Sequence, residues 1–212
     1  MKFPILPEKV DVIVTETFGA LALAEGATAD LRGCAARNLV EGGRVIPHGI
    51  DLYLAPVADL AVFHETAGVF GTHHGANLGP LRDLALRRAR SMDIAADSLA
   101  APAKRWASLS WPADDEVDAR LSFTLAAGWF VGFAGWFTLR LSDGVSLPTG
   151  PEDPDTHWGQ TYLPVPAVAV TEGATLDVSA RLAPAQADRR GLEVHGTWRL
   201  GDREGQLAHR VR

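Results

Sequence analysis

Cysteine is nearly missing from this chain of 212 residues: Cys34 stands alone, so no disulfide can form within it. A lone thiol fits a reducing compartment. A surplus of positive charge is missing too. Twenty Lys and Arg against 26 Asp and Glu leave a net charge of -6. That balance argues against broad binding to nucleic acid or anionic lipid, and it tolerates basic peptides as partners. No export signal is visible. The opening "MKFPILPEKVD" has a short apolar patch broken by Pro4 and Pro7, then charges. Nor is there a run long enough to span a bilayer: the longest apolar stretch, "GWFVGFAGWF" at 128–137, is about half of what a spanning helix needs. Together these absences predict a cytoplasmic protein with neither membrane nor nucleic acid as partner. Internal repeats and low-complexity segments are also lacking.

What is present suffices for a core. Apolar residues make up 47% and charged residues 22% of the chain, ordinary values for a globular protein. The length predicts one large domain, or a domain plus a smaller piece. Residues 10–15, "VDVIVT", are β-branched and almost all apolar, as in a strand buried on both faces. An Ala- and Leu-rich stretch follows and predicts a loop, then a helix over 27–40. "EGG" at 41–43 ends it, where glycine can take the left-handed cap conformation. "RVIPHGIDLYLAPV" at 44–57 is strand-like with a break at Pro47. Strand, loop, helix, turn and strand make a piece of an open α/β sheet.

From residue 66 the character changes. "GVFGTHHGANLGP" is loop-like, and "LRDLALRRARSMD" at 81–93 predicts a helix with Leu81, Leu84 and Arg88 on one face. After 106 the pattern is β. "DARLSFTL", "TLDVSARL" and "LEVHGTWRL" alternate, and "GWFVGFAGWFTLRL" is aromatic and glycine-rich, as in a tightly bent sheet. Strands at a spacing of 8 to 14 residues predict a barrel or sandwich.

Two stretches carry candidate chemistry. In "TETFGALALAEG" at 15–26, Glu16 and Glu25 stand nine residues apart on a loop leaving the carboxyl end of a strand, where open α/β sheets bind ligands. Two carboxylates facing one space repel unless a cation or a proton lies between them. A planar guanidinium satisfies both, because its donor fork matches carboxylate geometry. By spacing alone the plainer account is a pair of solvated loop acids. In "SLPTGPEDPDTHWGQTYLP" at 146–164, Thr156, His157 and Trp158 follow a proline-rich turn. Such a histidine can pair with a carboxylate or line a pocket, and the plainer account is a packed aromatic corner. Among the other histidines, His73 and His74 are adjacent, with His64 and His48 nearby. Neighbouring residues of a strand point to opposite faces, so no metal site is predicted. Cys34 reads as a buried small residue of the helix, and Arg82, Arg87, Arg88 and Arg90 as a solvated face.

Taken together, these stretches resemble the protein arginine methyltransferases. "VDVIVTETFGALALAEG" is similar to that family's double-glutamate loop. "LVEGGRVIPHGIDLYLAPV" is similar to its crossing from methyltransferase sheet to barrel, and "GWFTLRLSDGVSLPTGPEDPDTHWGQTYL" to its barrel strand and THW loop. The motifs keep the family order and cover most of residues 10–200. The departures are Thr15, where serine is usual, and the small residues at 20, 22 and 24. A glycine-rich turn for S-adenosylmethionine is not found, nor an acidic residue for its ribose.

The resemblance implies an α+β fold. Residues 1–46 would be a remnant of a Rossmann-like methyltransferase sheet, and 47–212 a mainly antiparallel β-barrel substrate domain with a helical dimerisation arm at about 66–100. It implies methyl transfer from S-adenosylmethionine to an arginine-containing protein or peptide, with Glu16 and Glu25 catalytic and Thr156, His157 and Trp158 substrate-binding. The cofactor-binding residues stay unassigned. The partners it implies are a second copy, forming a homodimer, or a second chain carrying the cofactor half. The alternative is a catalytically inactive barrel from a truncated or split gene, acting in protein binding or dimerisation.

Overall fold

The structure, a computed structural model, describes residues 5–73, 75–111, 116–186, 188 and 190–211. His74 therefore lies outside the described residues. The β-branched run at the start forms β1 (Val10–Val14). A loop and α1 (Ala27–Asn38) lead to β2 (Leu39–Ile46), which lies parallel to β1 with Ile13 beside Val45 and Val14 beside Ile46. This is the expected strand–helix–strand unit, with two corrections. The helix stops at Asn38 because Leu39 is already extended, at φ -92° and ψ 137°. The glycines of 41–43 thus do not cap it. Gly42, at φ 75°, sits inside β2, between pairings where the register with β1 shifts; a left-handed residue lets a strand bulge without strain. The second correction concerns burial. β1 is not covered on both faces, since Val12 is 40% and Val14 73% exposed. A sheet of two strands supplies too few neighbours to cover an apolar strand from both sides.

The rest of the chain is β-rich. In chain order it forms β3 (Gly49–Val57), α2 (Leu60–Phe63), a short hairpin of β4 (Thr72–His73) and β5 (Ala76–Asn77), α3 (Gly79–Ala85) and β6 (Arg90–Met92). Then come β7 (Lys104–Ser110), β8 (Val117–Thr124), β9 (Gly128–Ser142), β10 (Val145–Pro148), β11 (Gln160–Val170), β12 (Thr175–Pro184), β13 (Leu192–Leu200) and β14 (Arg203–Val211). One antiparallel sheet has the order β6-β11-β9-β3-β7, with β10 added to β9. A second has the order β14-β13-β12-β8. The two face each other across a single apolar core. Ile50, Leu52, Leu54, Phe130, Phe133 and Phe137 enter it from one side, and Phe123, Leu176, Val178, Leu182, Val194 and Trp198 from the other. The smaller sheet alternates buried with exposed, as its sequence predicts, because only one of its faces meets this core.

The larger sheet is covered on both faces. Ala55, Val57, Val131, Ala134, Trp136 and Tyr162 form a second core on its outer side with Val62, Phe63, Ala67 and Ala85. These last four come from α2, the helical turn that follows it and α3. Asp59 starts α2 by accepting the Ala61 N–H at 2.7 Å. The predicted helix over 81–93 is also shorter. It starts at Gly79 with Pro80 in its first turn and ends at Ala85, and Arg90–Met92 pair with β11 instead. Its inward residue is Ala85, so Leu81 and Leu84 stay 47% and 57% exposed. Among the described residues no helix is long and apolar enough to cross a membrane.

Candidate functional site

The site begins where β1 ends. The Thr15 N–H donates to the Ile46 carbonyl at 2.9 Å, continuing the parallel pairing, and the Phe18 N–H donates back to the Glu16 carbonyl at 2.8 Å. The loop beyond is compact. Phe18, Leu21, Ala22, Leu23 and Ala24 are all buried in the core between the two antiparallel sheets. This explains the small residues at 22 and 24, which are fully enclosed. Leu21 leans on β9 at Gly135, where an added Cβ would come within 2.9 Å of the leucine side chain. A glycine in a strand interior here marks a close approach.

Tight packing forces unusual backbone. Leu21, Ala22 and Glu25 have φ of 51°, 55° and 67°. Each such left-handed residue costs about 1–2 kcal/mol when it is not glycine. The burial of Leu21 and Ala22 offsets that cost and holds the shape.

One hydrogen bond ties this loop to the 156–158 stretch, which ring contacts and a second hydrogen bond hold in place. The Trp158 Nε1–H donates to the Phe18 carbonyl at 2.6 Å, across 140 residues of sequence. The Trp158 ring meets Phe137 of β9 edge-on at 5.3 Å and lies 4.0 Å from the His157 ring. Ser91 Oγ donates to the Trp158 carbonyl at 2.9 Å. His157 Nε2 then stands 3.6 Å from Glu16 Oε1. Both side chains are about 70% exposed, so solvent weakens the pair and its contribution to stability is small. Its value lies in showing which way the two groups face.

Glu16, His157 and Trp158 are thus brought together. Glu25 is held separately: its N–H donates to the Arg190 carbonyl, in the turn between β12 and β13, at 2.5 Å. Among the described residues its carboxylate forms no ion pair. Thr156 lines a cavity of about 220 Å³ with Asp93, Thr149, Asp155 and Gln160, a cavity that neither glutamate borders. Sequence reading missed Phe18, whose carbonyl receives Trp158, and the turn that holds Glu25. Backbone carbonyls leave no trace in side-chain identity. Among the described residues, no three His, Cys, Asp or Glu side chains cluster closely enough to hold a metal ion. Cys34 is buried in α1 and receives an Asn38 N–H at 3.5 Å.

A barrel-like β body with a helical arm, preceded by a parallel strand pair that ends in an acidic loop, is the architecture seen in this chain. Residues 50–203 match the model of the arginine methyltransferase oligomerization subdomain. The chain belongs to the protein arginine methyltransferase family and corresponds to its carboxyl-terminal region. It is 27% identical over 213 residues to protein arginine N-methyltransferase 6 of Xenopus tropicalis, covering 92% of this chain and 62% of that protein. It is 28% identical over 228 residues to human protein arginine N-methyltransferase 2, covering 98% and 52%. The chain therefore spans about three fifths of the length of the first of these relatives and about half of the other. Among solved structures, the Trypanosoma brucei PRMT1 enzyme-prozyme heterotetrameric complex with AdoHcy has a similar chain. The TM-score is 0.87 at 17% identity, covering 98% of this chain and 70% of that one. Arabidopsis thaliana protein arginine methyltransferase 10 follows with a TM-score of 0.77 at 19% identity, covering 98% and 72%. A crystal structure of PRMT6-SAH gives 0.63 at 17%, covering 90% and 67%. At these identities the structures speak for the fold.

Proposed function

We propose that this chain forms the substrate-gripping part of an S-adenosylmethionine-dependent protein arginine N-methyltransferase. The observation that carries this reading is the Trp158–Phe18 hydrogen bond with the Glu16–His157 approach beside it. It joins the two stretches that have catalytic meaning in the family, from opposite ends of the sequence. Glu16 and Glu25 would hold the guanidinium of an arginine-containing protein or peptide, orienting one nitrogen for in-line attack. A guanidinium stays charged at neutral pH, so two carboxylates are suited to position it and to favour the reacting lone pair. His157 would fix Glu16 from the side and Trp158 would wall the pocket, while Thr156 would bind substrate from the adjoining cavity it lines. The bound cofactor would supply the electrophilic methyl group. The carboxyl end of β1, with Val14 open to solvent and Glu16 just beyond, fits one wall of such a site. None of this chain's residues is assigned to the adenosine.

In this reading residues 1–46 belong to the methyltransferase sheet and 47–212 to the substrate barrel. The exposed Val69, Leu81 and Leu84 of the arm then form part of a contact with a second copy, or with a chain carrying the cofactor half. The family model's description as an oligomerization subdomain supports that assembly. A cytoplasmic location is part of the same reading, supported by the lone Cys34.

The test supplies the cofactor-binding part and replaces one glutamate at a time. Glu16→Gln or Glu25→Gln keeps shape and removes charge, so methylation of an arginine peptide is expected to fall by roughly two orders of magnitude or more. Activity unchanged in Glu25→Gln would reduce both to loop acids. A second reading, an inactive partner or dimerisation module, draws on the neighbour in which an enzyme assembles with a prozyme. It predicts no methyl transfer from any combination, with tight assembly retained.

A further inference from the structure

Glu25 has left-handed backbone and is exposed. Its amide is fixed by the hydrogen bond to the Arg190 carbonyl. That carbonyl is aimed by its own turn. β12 and β13 close with Pro184 opposite Leu192. Inside the turn the Ala185 N–H donates to the Gly191 carbonyl at 2.9 Å, and the Gly191 N–H to the Asp188 carbonyl at 2.9 Å. The Arg190 N–H donates to Asp188 Oδ1 at 3.1 Å. The last contact is an Asx turn, in which a side-chain oxygen holds the amide two residues on. Both amides that flank Arg190 therefore point at Asp188, and the intervening carbonyl is left facing outward, toward Glu25.

We propose that Asp188 is a positioning residue for the acidic loop: by fixing the turn it presents the Arg190 carbonyl to the Glu25 amide, and so sets where the Glu25 carboxylate stands. Asp188 touches no reacting atom. It acts through two backbone groups, from a strand turn more than 160 residues along the chain from the loop it serves. The inference rests on the reading of Glu25 as a guanidinium ligand. The peptide bond that ends in Gly191 is held from both sides, by Asp188 and by Glu25, which makes the turn and the loop a single hydrogen-bonded unit.

The experiment follows amide hydrogen exchange at Glu25 by NMR in the full chain. In Asp188→Ala the Glu25 amide is expected to exchange about tenfold faster, the effect of losing one hydrogen bond's worth of local protection. Amides of Ile13, Leu52 and Phe133 should keep their wild-type rates. In Asp188→Asn, whose Oδ1 still accepts from Arg190, the Glu25 rate should stay within about twofold of wild type. Unchanged exchange at Glu25 in Asp188→Ala overturns the proposal, and so does a failure of Asn to restore it. With the cofactor-binding part supplied, Asp188→Ala should raise KM for an arginine peptide about fivefold and leave kcat nearly unchanged, since substrate grip is what the brace sets. The exchange result is independent of any chemistry, so a failed brace is told apart from a failed assignment of Glu25, which Glu25→Gln measures directly.

Discussion

The α/β segment and the barrel are built from equally apolar strands and end in opposite conditions. β1 leaves Val12 and Val14 largely exposed, whereas Ile50, Leu52 and Leu54 of β3 are completely buried. The composition of the strands does not make this difference; their neighbours do. β3 has a strand on each side, a second sheet across one face and the arm across the other. β1 has one strand beside it. The acidic loop belongs to the first region by chain and to the second by packing, because Leu21 to Ala24 are part of the barrel core. The acidic loop is thus anchored in the barrel core although the sheet that delivers it is not enclosed.

The sharpest way to break this comparison is to cut into both regions alike. Phe133 is fully buried and touches Phe130 edge-on at 5.1 Å. Phe133→Ala is expected to cost about 3–5 kcal/mol, through lost burial and the cavity left behind. Val14→Ala, on a residue 73% exposed, should change stability by less than about 0.5 kcal/mol. Chemical denaturation of the full chain gives both numbers. Equal losses would mean that β1 is as firmly packed as the barrel.

A smaller effect is expected at the joint between the two. Gly135→Ala places a methyl group against Leu21, which is itself buried. Overpacking of this kind costs about 1–3 kcal/mol, and here it should displace the acidic loop without touching either glutamate. The accompanying sign is faster hydrogen exchange at Ala22, whose N–H donates to the Gly19 carbonyl at 3.0 Å. Slow exchange with reduced stability would place the strain in β9 instead.

Much of this was legible in the sequence, and what was not has definite causes. The alternation in β8, β12 and β13 announced strands with one wet face, and the β-branched run announced β1. The same apolar run could not announce how many strands would cover it, which is why β1 read as buried on both faces. The helix over 81–93 failed for a related reason: its spacing placed Leu81 and Leu84 on one face with Arg88, but α3 is only Gly79–Ala85 and buries Ala85. At the candidate site, Glu16, Glu25 and His157 could be picked out because their side chains have distinctive chemistry. The groups that place them are carbonyls of Phe18 and Arg190, which every residue possesses.

The smallest effect falls on a buried histidine of the closed body. His209 is 2% exposed on β14, and its Nε2–H donates to the Pro164 carbonyl at 2.8 Å. Burial pushes the His209 pKa down, more strongly than backbone hydrogen bonds at Pro164 and Leu86 raise it, and the nearby His195 adds to the lowering. An unfolded histidine titrates near about 6.5. Below that pH the unfolded chain takes up a proton that the folded chain refuses, so stability falls as pH falls. The loss continues until the folded pKa is passed, at no more than about 1.4 kcal/mol per pH unit for this one site. Above about pH 6.5 the group contributes no slope. Denaturation curves between pH 7.5 and 5 should therefore be flatter for His209→Gln than for wild type, the difference opening only below about 6.5. If the His209→Gln and wild-type curves instead stay parallel down to pH 5, the buried imidazole would not be what makes the closed body acid-sensitive, and the contrast between an open segment and a closed body would have to be redrawn.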